Sequence, residues 1–389
     1  MRRTLGGLAA AVVVGGLMAG GLAGTAAAAA GATVYAAPAG AGSDCSAAAP
    51  CSLASAVGLA NAASGDTVVL ADGTYTGVAL KLQASMSLTA ASGAHPVLQG
   101  DGTDDVIDVR AGTASVSGLT VTGGTIGIDT EVTADMLTVT GSTISGNSHL
   151  GVDVETQATV TGSTVAANGG AGLSVGPFDG KTVSVTNTTI TGNDGSGVDF
   201  AKGSVVVTLV SLTISDNGGA PLNEDGTGPS GDPISLGSSL ITGNGDGCFF
   251  NRFPVDAGYN VESDDSCGLG SASRTNVGDA AIGLGPLAAN GSAGPPTQAI
   301  GPSSAAYQVV PAGSALCPAA DERGLPRPGS GTTACDAGAY EYQYQPVTLV
   351  QAAPTSGTVT AGTAFTAQLA VTGATGAVTY TTTSPAGPV

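Results

Sequence analysis

The chain has 389 residues, of which 63 are glycine, 10% are charged and 4% are aromatic, and its formal net charge is −19. Ordinary domains contain about 25% charged residues, so this chain is poor in charge and its surface is acidic. That balance excludes a basic surface of the kind that binds nucleic acid. The scarcity of large apolar residues excludes an ordinary globular core of this size, whereas a narrow solenoid core needs only small stacked aliphatics.

The first 30 residues read as a targeting segment. Arg2 and Arg3 precede an apolar run rich in Ala and Gly, and the tract from Ala26 to Ala30 offers small-residue cleavage sites. This order is typical of a secretory signal peptide, and a retained membrane anchor is the alternative. We therefore predict a signal peptide at 1–30, a secreted or cell-surface protein, and no stable membrane span after cleavage.

A short helix is predicted just before the repeats begin. Residues 52–63 (SLASAVGLANAA) have helical periodicity, and Ser52 is a suitable N-cap. The open end of a solenoid needs a cap. We predict a capping segment over 31–65 that contains a first strand at 32–36 and this helix.

Residues 115–244 repeat one short pattern five or six times. A column of β-branched residues recurs every 21 to 27 residues and comprises Val121, Ile144, Val165, Ile190, Ile214 and Ile241. Such a period indicates a solenoid, in which each unit stacks on its neighbours. The units consist of short Val, Ile and Thr runs separated by Gly and Asn turns, which is typical of strands. A leucine-rich repeat has a similar period, but Thr, Ser and Val fill its Leu positions here.

These repeats resemble the right-handed parallel β-helix superfamily that includes pectate lyases. The predicted fold is therefore all-β, a right-handed parallel β-helix of about three strands per coil, with a short N-terminal capping helix. We expect the regular coils to occupy residues 66–245 and disulfide-stapled C-terminal coils to occupy 246–344.

Asparagines recur three positions after the β-branched column. A tight turn favours Asn, which tolerates left-handed backbone and bonds nearby backbone groups, and stacked amides can also bond from rung to rung. We predict a structural ladder formed by Asn147, Asn168, Asn193, Asn217 and Asn244.

A second polar column follows the inward aliphatic residue of several units and comprises Asp108, Asp129, Asp153, Ser174 and Asp199. Strand alternation places this column on the outside of a sheet. Neighbouring carboxylates about 5 Å apart repel by roughly 3 kcal/mol at an effective dielectric of 20. Either Arg110, two residues after Asp108 on the same face, or a Ca²⁺ ion held by Asp129 and Asp153 would relieve that repulsion.

The resemblance to pectate lyases also implies a chemistry for this face. In such enzymes carboxylates hold Ca²⁺ and an Arg or Lys takes the proton, so Arg110, Asp129 and Asp153 are the catalytic candidates. The alternative is a solvated polar column, which every β-helix has. The lack of Trp and the low count of Tyr favour that alternative, because clefts for sugars usually stack rings on aromatic faces.

Six cysteines remain after the predicted cleavage. An even number in an exported chain favours disulfides over metal thiolates, and His95 and His149 are isolated in the sequence. Six cysteines permit 15 pairings, among which the spacing suggests three local ones: Cys45 with Cys51, Cys248 with Cys267 and Cys317 with Cys335. The second pair encloses a Phe-rich loop, and the insertion at 221–233 is expected to bulge from the stack.

Four motifs mark the C-terminal part of the predicted β-helix. They are GYNVESDDSCG at 258–268, GPLAANG at 285–291, ADERGLPRP at 320–328 and CDAGAYEY at 335–342. Together they resemble the choice-of-anchor Q domain family of secreted or surface bacterial proteins, over about residues 240–342. The resemblance implies display outside the cell and implies no reaction.

The same motifs carry two arginines and three acids. We expect Arg323 and Arg327 to form bidentate contacts with Asp321, Asp336 and Glu341 and so to close the last rung. From residue 345 to 389 the composition changes to alternating strands, which resemble the start of a bacterial immunoglobulin-like module. Such a sandwich needs about 100 residues, so we expect this module to be incomplete.

The sequence thus predicts an exported, non-catalytic β-helix that serves as a structural, adhesive or glycan-contacting scaffold. Its expected partners are polysaccharides or cell-surface components, and its only expected cofactor is Ca²⁺. The alternative is a calcium-assisted polysaccharide lyase or glycosidase. A trimeric tail-spike protein is a third hypothesis, which the signal peptide disfavours.

Overall fold

The computed structural model describes residues 31–176, 180–201, 205–225, 234–250, 254–291 and 294–344, together with two strands near the C-terminus. The predicted signal peptide and most of the predicted immunoglobulin-like module lie outside the described residues. The two strands, Thr348–Ala353 and Gln368–Thr372, pair antiparallel.

Three parallel sheets run side by side, and each turn of the chain adds one strand to each of them. The first sheet has ten strands: Thr33–Ala36, Asp66–Leu70, Met86–Ala90, Gly112–Ser117, Ala134–Thr140, Gln157–Thr161, Thr182–Thr186, Val206–Val210, Ile234–Gly237 and Val255–Gly258. The second sheet has nine: Thr74–Thr76, Val97–Gln99, Thr120–Thr122, Thr143–Ser145, Thr164–Ala166, Thr189–Thr191, Thr213–Ser215, Leu240–Thr242 and Val261–Glu262. The third sheet has seven: Leu80–Leu82, Ile107–Val109, Ile128–Thr130, Val152–Val154, Leu173–Val175, Val198–Ala201 and Leu222–Asp225.

The inward side chains of all three sheets form one apolar core. The β-branched column of the repeats lies in register on the second sheet, where Val121 pairs with Ile144 and Ile144 with Val165. The same register continues through the later repeats to Ile241. The all-β parallel β-helix predicted from the repeats is therefore confirmed.

A helix at Leu53–Ala62 stands at the start of the coil, as predicted. The Ser52 hydroxyl caps it by accepting a hydrogen bond of 3.2 Å from the backbone N–H of Ser55. Its buried face, including Leu53 and Val57, belongs to the same core as the sheets. The helix thus covers apolar side chains that the first turn would otherwise expose.

Buried asparagines form a continuous ladder in the turns between the second and third sheets. Asn168 donates from its side-chain amide to Oδ1 of Asn193 at 2.9 Å, and Asn193 donates to Oδ1 of Asn217 at the same distance. Each Oδ1 also accepts the backbone N–H of the Asn one turn earlier, as Asn193 does from Asn168 at 3.1 Å. Each amide therefore satisfies turn groups that are shielded from water.

Asn193→Ala is expected to destabilise the protein more than Ser148→Ala. Asn193 is 1% exposed, and its loss leaves buried backbone and amide groups unpaired at about 1 to 3 kcal/mol each. Ser148 lies exposed in a neighbouring turn, so its truncation costs little. Urea unfolding of both variants measures the difference, and equal midpoints would contradict a stabilising role for the ladder.

The parallel coils end at Val261–Glu262 instead of continuing to residue 344 as predicted. Beyond this strand the chain forms a short helix and two antiparallel pairs: Asp279–Ile282, Leu287–Ala288 with Thr297–Gln298, and Val310–Pro311 with Ala334–Cys335. This segment folds back onto the second sheet, where Glu322 accepts hydrogen bonds from the hydroxyls of Thr164 and Thr189. The Thr-rich outer face of that sheet thus finds buried polar partners.

The predicted arginine network is formed within this returning segment rather than across a last rung. Arg323 contacts Oδ2 of Asp321 through two nitrogens, at 2.9 and 2.6 Å. Arg327 pairs with Glu341 at 3.2 Å and donates to the backbone carbonyl of Asp336, not to its carboxylate.

The predicted insertion at 221–233 is also shorter than expected. Leu222–Asp225 forms the last strand of the third sheet, since Leu222 pairs with Val198. Residues 226–233 lie outside the described residues. The alternation of Leu222, Asn223 and Glu224 carried the strand signal that the neighbouring prolines and glycines masked.

A candidate cation site on the third sheet

The predicted polar column lies in register on the outer face of the third sheet. Asp129 pairs with Asp108 on one side and with Asp153 on the other. The full column reads Lys81, Asp108, Asp129, Asp153, Ser174, Asp199 and Asn223. Sequence reasoning missed Lys81 and Asn223, although each follows an inward Leu as the other members follow their own inward residues.

Two residues after each aspartate, directly beyond the end of each strand, a second polar column begins with Arg110, Glu131 and Glu155. Alternation with a period of two places it on the same face as the aspartates. Glu131 is exposed and Glu155 is half-buried. Neither was a sequence-based candidate, although the spacing that selected Arg110 applies to both.

Asp108 differs from the solvated residue that the sequence predicts, because it is only 7% exposed. Its Oδ2 accepts a hydrogen bond of 2.7 Å from Nε of Arg110. Its Oδ1 is buried and has no hydrogen-bond partner among the described residues. Asp108 lines a cavity of about 90 Å³ together with Lys81, Arg110 and the turn at 104–105.

Three carboxylates converge here. One oxygen each from Asp108, Asp129 and Glu131 lie within 4.8 Å of one another. Asp153 is the next member of the column, but it is not in this group and interacts with the hydroxyl of Ser174. The predicted pair of Asp129 with Asp153 is therefore adjacent in register, whereas the converging group uses Asp108 and Glu131.

The electrostatics of this face favour a bound cation. Burial and, to a smaller extent, the neighbouring charges of Asp153, Asp105 and Asp108 together raise the pKa of Asp129 to about 7. Burial also raises the pKa of Asp153, which the hydroxyl of Ser174 and the imidazole of His149 partly oppose. His149, isolated in the sequence, thus lies beside this site. A positive charge would lower the cost of ionising these groups together.

The donor set fits a hard cation. Ca²⁺ takes six to eight oxygen ligands, and three carboxylates supplemented by water supply oxygens only. A softer ion would seek nitrogen or sulfur ligands, which the group lacks. The unpartnered Oδ1 of Asp108 is a buried acceptor without a donor, and a cation would satisfy it.

Arg110 is held as an ion pair at the edge of this group. Its contact with Asp108 raises the pKa of the guanidinium. A proton-abstracting base needs the opposite shift. The geometry therefore favours Arg110 as a counter-charge for Asp108.

The disulfide-closed loop contributes a separate surface near the end of the third sheet. Phe249 is 59% exposed and lines a cavity together with Ser196, Asn223 and Asp246. Phe250 packs against the core instead. Phe253, the third phenylalanine of the predicted loop, lies outside the described residues.

The comparison with family models agrees with this architecture. Residues 102–252 match the family model described as right handed beta helix region. A search of curated proteins finds no match. Among solved structures the chain is similar to one titled "Crystal structure of pectate lyase Pel9A", with 16% identity, coverage of 79% of this chain and 96% of that chain, and a TM-score of 0.39. Within the described residues no helix is long and apolar enough to cross a membrane. From the three stacked sheets and the family match, we conclude that this chain is built on a right-handed parallel β-helix.

Proposed function

We propose that this protein is an exported, non-catalytic β-helix scaffold whose third sheet binds a divalent cation, with Ca²⁺ as the preferred ion. The observation that carries the proposal is the buried Oδ1 of Asp108, which has no hydrogen-bond partner among the described residues. Asp108 also belongs to the carboxylate group that includes Asp129 and Glu131. A cation that bridges successive rungs would stabilise the coil by relieving their mutual repulsion.

The three disulfides support an extracellular location for this scaffold. Each of the predicted local pairs is formed: Cys45 with Cys51, Cys248 with Cys267 and Cys317 with Cys335. Such bonds persist in oxidising compartments. Polysaccharide is the proposed partner, since the exposed ring of Phe249 beside Asn223 and Asp246 offers a stacking face with polar neighbours.

A calcium-assisted polysaccharide lyase or glycosidase is the second candidate. It is favoured by one observation, the presence of Arg110 on the same face as the carboxylate group. Against it stands the raised pKa of Arg110, which disfavours release of its proton at neutral pH. We therefore favour a cation-binding scaffold over a lyase or glycosidase.

Calcium is expected to raise the melting temperature of the wild-type protein, and Asp129→Asn is expected to abolish that rise. A ligand that binds only the folded state stabilises it by about 2.7 kcal/mol at a hundredfold excess over Kd. Asp199→Asn is the matched control, because Asp199 lies in the same column but outside the converging group. Scanning calorimetry with Ca²⁺ and with EDTA measures the shift. An equal shift in both variants would place the ion elsewhere.

Activity is tested separately from binding. The purified protein is incubated with acidic and neutral polysaccharides, with and without Ca²⁺, and unsaturated-uronate absorbance and new reducing ends are followed. We expect no turnover. Turnover that disappears in Arg110→Ala would overturn the scaffold proposal in favour of the lyase.

A further inference from the structure

A buried carboxyl group lies against one of the three disulfides. A carboxylate oxygen of Glu262 lies within 4.8 Å of the sulfurs of both Cys248 and Cys267. Glu262 is fully buried, and its Oε1 accepts hydrogen bonds from the backbone N–H of Cys267 at 2.9 Å and from the hydroxyl of Ser266 at 3.2 Å. Its Oε2 has no hydrogen-bond partner among the described residues.

The surroundings keep this carboxyl group protonated near neutral pH. Burial raises the pKa of Glu262 to about 8, and the negative charge of Asp264 contributes to the rise. Asp264 is also the charged group that faces it. Arg274, whose backbone pairs with that of Glu262, directs its guanidinium to the carbonyl of Ala305. Glu262 therefore carries a proton beside the disulfide.

The two cysteine residues differ in exposure. Cys248 is partly buried, whereas Cys267 is fully buried. An attacking thiolate must reach a disulfide sulfur from outside, so Cys248 is the sulfur attacked and Cys267 is the leaving group. The leaving thiolate then forms beside Glu262, in a buried site where a charged sulfur is costly unless it is protonated.

We propose that Cys248–Cys267 is an exchange-reactive disulfide in which the Glu262 carboxylic acid protonates the departing Cys267 sulfur. An external thiolate bonds to Sγ of Cys248, the Sγ–Sγ bond breaks, and its electron pair passes to Sγ of Cys267, which takes the proton of Glu262. A second external thiolate attacks the mixed disulfide, releases the oxidised external disulfide and leaves Cys248 as a thiolate. Two external thiols supply the two electrons, and the loop that presents Phe249 is opened.

The chain contains its own control. Cys317–Cys335 joins residues 18 positions apart, against 19 for Cys248–Cys267, and it also has one partly buried and one fully buried cysteine. In the described part of the chain, no carboxylate or imidazole joins Cys317 and Cys335 in a comparable group. The two bonds are thus matched in span and in residue burial, and only Cys248–Cys267 has an acid in such a group within the described residues.

The test measures both reductions in the same sample. Native protein is exposed to reduced glutathione, new thiols are alkylated over time, and peptide mass spectrometry follows each cysteine. We expect Cys248–Cys267 to open at least about tenfold faster than Cys317–Cys335, since a positioned general acid contributes substantially to such a step. Ionisation of glutathione changes both rates equally, so it has no effect on the ratio of the two rates. A decline of this ratio above about pH 8 would therefore report loss of the Glu262 proton.

Glu262→Gln keeps the hydrogen-bond acceptor for Cys267 and removes the acid, so the ratio should fall toward one. Asp264→Asn keeps the Glu262 carboxylic acid, so Cys248–Cys267 should still open faster than Cys317–Cys335 at pH 6. A ratio near one in the wild type, or an unchanged ratio in Glu262→Gln, would overturn the proposal. If Glu262→Gln does not fold, the pH dependence of the wild-type ratio decides alone, because a pH-independent ratio excludes the acid.

Discussion

Gly151→Ala is expected to destabilise the coil by about 1 to 3 kcal/mol, or more if the rung cannot shift. Gly151 directly precedes the third-sheet strand Val152–Val154. A Cβ there would lie 2.5 Å from the carbonyl oxygen of Gly172, 2.5 Å from Cγ1 of Val165 and 2.8 Å from Nδ2 of Asn168. These atoms belong to the next rung. The added methyl group would therefore clash with the backbone, with a core side chain and with the asparagine ladder at the same time.

Gly58→Ala is the matched control for this substitution. Gly58 lies within the capping helix, and a Cβ there would meet no atom within 4 Å. Replacing Gly by Ala inside a helix stabilises by roughly 0.5 to 1 kcal/mol. Urea unfolding followed by circular dichroism should therefore move the two midpoints in opposite directions. Midpoints that move together would show that the rungs are spaced more loosely than the structure indicates.

The protein is expected to become more stable as the pH falls from about 8 to about 5. Burial raises the pKa of Glu262 to about 8 and that of Glu341 to about 7, from an ordinary value of 4.5. Burial also raises the pKa of Glu322 well above that value. A carboxyl group whose pKa is higher when folded stabilises the fold fully below its unfolded pKa, and this stabilisation is lost as the pH rises through its folded pKa.

The stability loss should therefore fall between about pH 4.5 and pH 8 for these groups. Melting temperatures across this range measure it. Glu262→Gln should flatten the alkaline part of the curve, because the amide cannot ionise. Asp101→Asn is the control, because the hydrogen bond from Thr103 lowers the pKa of Asp101 instead of raising it. Removing this carboxyl group should leave the loss of stability toward pH 8 unchanged. A melting temperature that rises steadily toward pH 8 would contradict the assignment.

The repeat by itself determined the coil. Inward residues recur every 21 to 27 positions, and one such period builds three strands, so the pairing of Val121 with Ile144 could be read from the letters alone. The Asn ladder was equally readable, because a turn that repeats in sequence must stack in space. The capping helix could also be predicted, from Ser52 as its N-cap and from the helical periodicity of the residues that follow.

Only part of the candidate site could be predicted from the sequence. Alternation along a strand placed Asp129 outward beside Asp108 and Asp153. Which of these carboxylates converge depends on how side chains turn between rungs and on what covers them. Asp108 shares a cavity with the turn at 104–105 and with Arg110, and its proximity to Glu131 arises only in the folded chain.

Tertiary structure alone decided the C-terminal segment. After Glu262 the period is lost, so no repeat indicates where the chain goes, and we wrongly extended the coils to residue 344. The segment turns back because the outer face of the second sheet carries hydroxyls of residues such as Thr164 and Thr189, which Glu322 satisfies across more than 130 residues of sequence. A contact of that range has no periodic signature. The proximity of Glu262 to Cys248 depends in the same way on a loop closure rather than on spacing, and only the folded chain brings acid and disulfide together.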